Sequence, residues 1–466
     1  MRKFPLFLFL APSLSLLASC GGGGGGSTIT NHFSVASPAN IPNGMPFNFT
    51  VNALDASNQT VTSYSGTVHF TSTDPHALLP ADSTLVSGTN VSSATLTTAG
   101  SQMITATDKA TSSITGSSNS INVGALPDAF PVEWFGAKGD GVTDDTGAIQ
   151  SAINAAVAAG GGSVLFKVAR YFTTGTFLVP DGVVLCGTVE GPFDVNGVDP
   201  AQTAIAPTLL VTNTTGPFLT LRGNGSSGVT DLLFHYPHQV KTSASTPNAY
   251  PYTILLSAGN VTRSTVTNAY NYLDVENGRD MVQDMYIGAF NIGVHVDHTG
   301  DFLTLHNLHI GVFWDDMENA SYPSTIDTWV LNNGTALVVN RMDALELHDF
   351  FAFSRFTGIL LTDSPDTTQD RRSGWGEASN IDLETVQYGV IAISATSPPG
   401  YQFTNLQVGA APGLGQAAVQ LRAGGTVPPD VLINGGSVRG SWALGAFPTP
   451  QAGNLTHVNI IGSDLP

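Results

Sequence analysis

The sequence predicts an all-β chain: a solenoid of stacked short strands (a β-helix), closed at its first coil by one helix and preceded by a small antiparallel sandwich. Three observations carry this. Short segments of alternating apolar and polar residues run through most of the chain, with 51 glycines available to turn them. From about Leu126 onward, tight hairpin turns become sparse and a loose repeat appears. One amphipathic helical stripe stands where that repeat begins.

The chain opens with "MRK", a basic start, followed by "FPLFLFLAPSLSLLA", an apolar stretch too short to span a bilayer stably. It ends in "LASC", Leu17 to Cys20, which resembles the bacterial lipobox. That resemblance implies a signal peptide over 1–19, diacylglyceryl attachment at the Cys20 sulfur, and an exported, membrane-anchored lipoprotein of periplasm or cell surface. Plain secretion with cleavage nearby is the alternative. Residues 20–31 contain "GGGGGGS", a flexible tether.

Residues 32–125 carry "FNFTVNAL", "GTVHFTST", "SATLTT", "QMITATD" and "SINV", short alternating strands separated by turn residues, as in an antiparallel sandwich. The segment resembles bacterial immunoglobulin-like modules and holds no metal-spaced cluster or catalytic constellation. It serves as a spacer or, alternatively, as a glycan- or partner-binding module. "GALPDAFPVEWFG" then reads as a linker into the second domain, 126–466.

There the units "VTDLLFHY", "VTRSTVTNAY", "MVQDMYIGAF", "LTLHNLHIGVF", "ALELHDFFAF" and "ASNIDLETVQYG" align. Asp231, Asp284, Asn307, Asp349 and Asp382 share one place, with Ser264 in the second unit. They recur roughly 20 to 40 residues apart with no helix between, as stacked coils with variable loops do. A solenoid must cover the apolar floor and free edge of its first coil. "GDGVTDDTGAIQSAINAAVAAGGG" supplies that cover. Ile149, Ala152, Ile153 and Ala156 form one stripe, Thr143, Asp144 and Asp145 offer capping oxygens, and Gly160 to Gly162 end the helix.

"FGAKGDGVTDDTGAIQSAINAA", with "GGGSVLF" and "FLVPDGVVLCG" after it, resembles the entry segment of the pectate lyase superfamily. "FHYPHQ", "PYPYTI" and "LHNLHIGVFW" are similar to bacterial members related to glycoside hydrolase family 28. The resemblance implies a right-handed parallel β-helix and action on carbohydrate. The reaction stays open, because lyases, hydrolases, epimerases and binders share the fold.

Composition excludes several functions. A net charge of −19 with 16 Lys and Arg leaves no basic cluster to displace counterions from nucleic acid. The two cysteines, Cys20 and Cys186, allow no disulfide framework within the mature fold, and Cys186 in "VVLCG" reads as a buried thiol. The acidity favours hydrolysis over β-elimination from uronates, which needs charge neutralisation. A lyase would call for Ca²⁺ as cofactor; a hydrolase calls for none.

The residues that follow each core strand should stack along one edge and line a polysaccharide groove. That places Tyr236, His238, Tyr270, Asn271, Asn291, His309, Trp314 and Arg355 against substrate, aromatic faces for sugar rings and polar groups for hydroxyls. Glycoside hydrolysis uses two carboxyl groups. "FWDDME" offers Asp315, Asp316 and Glu318, and the resemblance to family 28 matches its Asp-Asp to Asp315 and Asp316. The Gly-His-Gly and Arg-x-Lys of that family do not occur. A non-catalytic glycan-binding adhesin is therefore the rival reading, beside a lyase. Asp297 and His298 are a second acid/base option, and Arg371 and Arg372 a carboxylate clamp on an excursion loop. His306 and His309, three apart, face opposite ways on one strand, so no zinc site is expected from them.

Overall fold

The structure is a computed structural model. It describes residues 29–124, 129–195, 198–239, 246–276, 279–311, 325–368, 371–394, 400–410, 417–422, 425, 429–439, 443–444 and 458–464. The chain divides into two units, Met1–Ala125 and Leu126–Pro466. The signal segment and Cys20 lie outside the described residues.

In the first unit, strand Pro46–Leu54 pairs antiparallel with His32–Ala36 on one side and Thr89–Thr95 on the other. Strand Thr67–Ser72 pairs with Ser83–Thr84 and Ile104–Asp108, and Ile121–Gly124 joins Asn40–Pro42 to Gly100–Gln102. The period of two puts Phe47, Phe49, Val51 and Ala53 on one face, where they meet Val68, Phe70, Ile104, Ala106, Ile121 and Val123 in a single core. Such a core, at about 1.5–3 kcal/mol per large side chain buried, is what holds these short strands together.

The second unit is a right-handed parallel β-helix, the hand that parallel crossovers adopt. It opens earlier than the linker reading expects: Ala129–Pro131 is already a strand, paired in parallel with Gly162–Phe166, and Val132–Phe135 is a 3₁₀ turn. Helix α1 (Thr146–Ala158) lies against these elements. Ile149, Ala152, Ile153 and Ala156 are all buried, as a lid on the first coil requires. The capping differs in detail. Asp144 accepts from the Thr146 N–H at 3.0 Å, whereas Asp145 turns back to accept from Lys138 N and Gly139 N at 2.6 and 3.0 Å. It thereby ties the glycine-rich entry loop to the helix start.

Each later coil contributes to three parallel sheets. Sheet 1 runs through Gly162–Phe166, Val183–Gly187 and Gly228–Thr230 into 260–262, 281–283, 303–306, 344–348 and 376–379. Sheet 2 runs through Ala169–Thr173, Pro207–Val211 and Leu233–His235 into 265–267, 285–287, 308–310, 350–353 and 381–384. Sheet 3 runs through Phe177–Val179, Leu219–Leu221 and Tyr252–Leu256 into 271–276, 292–297, Thr335–Val339, Thr357–Leu361 and Tyr388–Ala392. Inward residues stack as columns of Leu, Val and Ile, Leu273 under Val294 under Leu337 for example, all fully buried.

Sheets 1 and 2 meet at a one-residue corner. Asp231, Arg263, Asp284, Asn307, Asp349, Asn380 and Asn405 hold it with φ between 43° and 59°. Asn and Asp tolerate this left-handed conformation better than other side-chain-bearing residues. Their side chains also bond from coil to coil: Asn307 Nδ2 donates to Asp284 Oδ1 at 2.7 Å, Asn380 Nδ2 to Asp349 Oδ1 at 2.9 Å, and Asn405 Nδ2 to Asn380 Oδ1 at 3.1 Å. Two aligned positions need correction. Arg263, not Ser264, takes the second corner, where it pairs with Asp231 at 2.8 Å; and Asn380, not Asp382, takes the later one. The corner also separates His306, on sheet 1, from His309, on sheet 2.

Candidate active site on the outer face of sheet 3

Sheet 3 alternates strictly where the sequence reads "YLDVE" and "GVHVD". Leu273, Val275, Val294 and Val296 point inward and are fully buried. Asp274 and Glu276 therefore share the outer face, and register sets His295 beside Asp274 and Asp297 beside Glu276. Tyr252, on the coil before that of Asp274, stacks its ring on His295 with centroids 6.0 Å apart and planes at 22°.

His295 is held at both ring nitrogens. Nδ1 meets Asp274 Oδ1 at 2.7 Å and Nε2 meets Asn340 Oδ1 at 2.6 Å. Asn340 Nδ2 donates to the Asp363 carbonyl at 2.7 Å, so its oxygen faces the ring and Nε2 must carry a proton. Burial, the largest single influence, pulls the imidazole pKa down. The bonds to Asp274 and Asn340 and the charges of Asp274 and Asp297 outweigh it, and the net shift is upward. His295 is thus held at both ring nitrogens, with its protonated form favoured by Asp274.

Asp297 accepts three hydrogen bonds, from His298 N at 2.8 Å, Arg341 N at 3.2 Å and Ser364 Oγ at 2.8 Å. His298 bridges Asp297, at 3.4 Å, and Asp366, at 3.0 Å. The loop between sheets 3 and 1 that supplies Ser364 and Asp366 is closed by Arg371, whose Nε donates to the Ser364 carbonyl at 2.6 Å. Where that loop returns, a Cβ on Gly374 would stand 1.7 Å from the Met342 carbonyl oxygen, so the coils approach there as only glycine allows.

Glu276 differs from its neighbours. It is half-buried, faces outward, and makes no side-chain hydrogen bond among the described residues. Burial, then the negative charge of Asp274, pushes its carboxyl above the ordinary range, while His298 and His295 pull weakly the other way. The face thus presents the Glu276 carboxyl, the Asp274 carboxyl two residues away on the same strand, and an aromatic ring. Among the described residues no group of three or more His, Cys, Asp or Glu side chains has metal-binding geometry.

The residues after each sheet 2 strand do stack at one corner, between sheets 2 and 3, but their burial sorts them. Tyr270, Asn271 and Asn291 come together, with Asn291 Nδ2 donating to Asn271 Oδ1 at 2.9 Å and the Tyr270 ring 6.0 Å from Trp329 of helix α2 (Thr325–Asn333). His238 is exposed in the turn after Leu233–His235. Tyr236 is not a groove residue: it is 1% exposed, bonded to Thr253 Oγ1 at 2.8 Å, and the Tyr250 ring packs on it with centroids 4.9 Å apart. Arg355 is likewise excluded from substrate, being fully buried with Nη1 donating to the Ala289 carbonyl. His309 faces out on sheet 2 rather than sheet 3. Trp314, Asp315, Asp316 and Glu318 lie outside the described residues. Cys186 is half-buried rather than enclosed, and burial raises its thiol pKa.

Asp274, Glu276 and His295 went unread in the sequence. Their signal was the matching alternation of "LDVE" and "VHVD", two repeat units with acid or histidine at the same outward places. Asp297 and His298, the second acid/base option, do fall in this cluster.

Residues 129–204 match the family described as "Rhamnogalacturonase A/epimerase, pectate lyase-like". Mannuronan C5-epimerase AlgE2 of Azotobacter vinelandii is 43% identical over 76 residues, 16% of this chain and 7% of that protein. Alginate lyase 7 of the same organism is 50% identical over 56 residues, 12% of this chain and 6% of that one. Each match thus spans less than a tenth of the relative's length. The A-module of mannuronan C-5 epimerase AlgE4 from Azotobacter vinelandii aligns in structure with a TM-score of 0.36 and 14% identity, covering 66% of this chain and 76% of that one.

Proposed function

We propose that this chain acts on a polysaccharide by carboxyl acid/base chemistry on the outer face of sheet 3, as a glycoside hydrolase. The observation that carries the reading is Glu276, a half-buried carboxyl without a side-chain hydrogen bond among the described residues, on the same outward face as Asp274 and with its pKa raised by burial. Glu276 protonates the departing glycosidic oxygen. Asp274, its Oδ1 held by His295, keeps Oδ2 for the attacking water. Residues two apart on a strand have Cα atoms about 6.6 Å apart, so the two carboxyl groups stand side by side on this face. Tyr252 offers an apolar ring beside the pair. Lipidation at Cys20 would hold the enzyme at a membrane, with the sandwich, of proposed immunoglobulin-like type, as spacer.

A second reading is a uronate lyase or epimerase. Its support is the family match and Arg371, which stands beside the site loop and suits a substrate carboxylate. Against it, Asp274, Asp297 and Asp366 surround the cluster with negative charge, which repels a polyuronate.

The experiment is product analysis over a panel of uncharged and uronate glycans, with the parent, Glu276→Gln and Asp316→Asn. Hydrolysis predicts reducing ends without new ultraviolet absorbance, lost in Glu276→Gln. Unsaturated ends, or solvent deuterium entering an uncleaved polyuronate, establish the second reading. Loss only in Asp316→Asn moves the chemistry to the 312–324 segment, and binding without turnover makes the protein an adhesin.

A further inference from the structure

The outer face of sheet 2 has two different parts. Over its first coils the chain covers it: Leu233 packs under Val195 and Ala206, and Thr265 Oγ1 accepts from Phe193 N at 2.7 Å and donates to Phe193 O at 3.0 Å. Past Thr265 the same outward place is held in turn by Tyr286, His309, Phe351, Asp382 and Gln407. Tyr286, His309 and Phe351 are partly exposed, and Gln407 is exposed. The ring centroids step 5.6 Å from Tyr286 to His309 and 5.7 Å from His309 to Phe351, along the helix axis. Burial lowers the pKa of His309, which favours the neutral ring, and Nε2 lies against Asn307 Oδ1 at 3.1 Å. Glu384 stands exposed two residues beyond Asp382.

We propose that this row is a second binding surface, separate from sheet 3, for an uncharged, hydroxyl-rich glycan chain lying along the helix axis. Three partly exposed rings in line give apolar faces to successive sugar rings, and Asn307, Asp382, Glu384 and Gln407 give hydroxyls fixed polar partners. The charge selects the ligand. Among the residues named in the row, Asp382 and Glu384 are carboxyl groups and none is Lys or Arg, so it disfavours polyuronates, phosphates and anionic lipid surfaces. A purely apolar partner would leave Asp382 and Gln407 unpaired. The surface holds polymer while sheet 3 acts on it. It rests on the reading of this chain as carbohydrate-directed, though not on the sheet 3 chemistry.

The test measures binding of the full chain to a soluble uncharged glucan, an uncharged galactomannan and alginate, and turnover on short oligosaccharides. The double variant Tyr286→Ala/Phe351→Ala should weaken binding of at least one uncharged polymer tenfold or more and leave short-oligosaccharide turnover unchanged. Phe351→Tyr should keep binding. Gln407→Ala, at an exposed site, should weaken it severalfold and decides the matter should the double variant not fold. The proposal is overturned by binding that ignores these changes, by parent protein that binds neither uncharged polymer, by preference for alginate, or by sedimentation showing a dimer that Phe351→Ala dissolves. Lost turnover with intact polymer binding would count against the sheet 3 reading alone.

Discussion

Asp280 offers a direct test of the coil geometry. It begins strand Asp280–Asp297, is 4% exposed, and accepts one hydrogen bond through Oδ1, from Gly259 N at 2.7 Å. Its Oδ2 is buried with no partner among the described residues. Burial, opposed only by the Gly259 bond, pushes the carboxyl from 3.8 up to about 7. The native state therefore binds the proton more tightly than the unfolded chain does. Stability from this group is fully present below pH ~4, falls as pH rises toward 7, and is absent above that. Three units at 1.36 kcal/mol each make the cost at pH 8 about 4 kcal/mol. Asp280→Asn keeps the oxygen that faces Gly259 and replaces the acid O–H by an amide N–H, so it mimics the protonated form. The variant should match the parent at pH 4 and exceed it by about 2–4 kcal/mol at pH 8. Urea unfolding followed by circular dichroism at pH 4, 6 and 8 reads this as a midpoint gap that opens with pH. Parallel curves, or a variant weaker than its parent at pH 8, would refute the burial of this carboxyl.

The other predictions address the ladder and the site. Asn380→Ala loses a residue suited to φ of 55° and two coil-to-coil bonds; thermal unfolding should show a loss of about 2–4 kcal/mol, with Asn380→Asp milder. The His295 imidazole should titrate above ~6.5 by NMR, and Asp274→Asn should bring that value down by removing its anionic partner. Glu276→Gln should cut kcat by about 10²–10⁴-fold with little change in binding. In the parent, kcat should fall as pH rises through the raised Glu276 pKa, so the alkaline limb lies above the ordinary glutamate value of ~4.3.

Much of the architecture was legible in the sequence because it rests on local rules. The stripe of Ile149, Ala152, Ile153 and Ala156 names the lid helix, and Asp or Asn before an apolar residue marks a left-handed corner. Asn380 and Asp382, two apart in "SNIDLE", show the limit. Both fit that pattern, and only the register against Asp349 tells which turns the chain. The site was less legible. Tyr236 and Arg355 follow core strands as Tyr270 and Asn291 do, yet the first two are enclosed. Burial at that corner depends on partners distant in sequence, Tyr250 on Tyr236 and the Ala289 carbonyl on Arg355, which spacing does not encode. The acid/histidine face of sheet 3 arises from two strands 21 residues apart in register, His295 against Asp274. The pairing becomes visible only when the repeat is extended past its first strand into "LDVE" and "VHVD".

The central claim is that a glycan lies across the outer face of sheet 3 with its scissile bond at Glu276. A crystal structure of Glu276→Gln bound to an uncleaved oligosaccharide tests it most directly. The account predicts a glycosidic oxygen within about 2.6–3.2 Å of the side chain at position 276, with a sugar ring against Tyr252. Sugar bound only at the 312–324 segment, or nowhere on sheet 3, would contradict it.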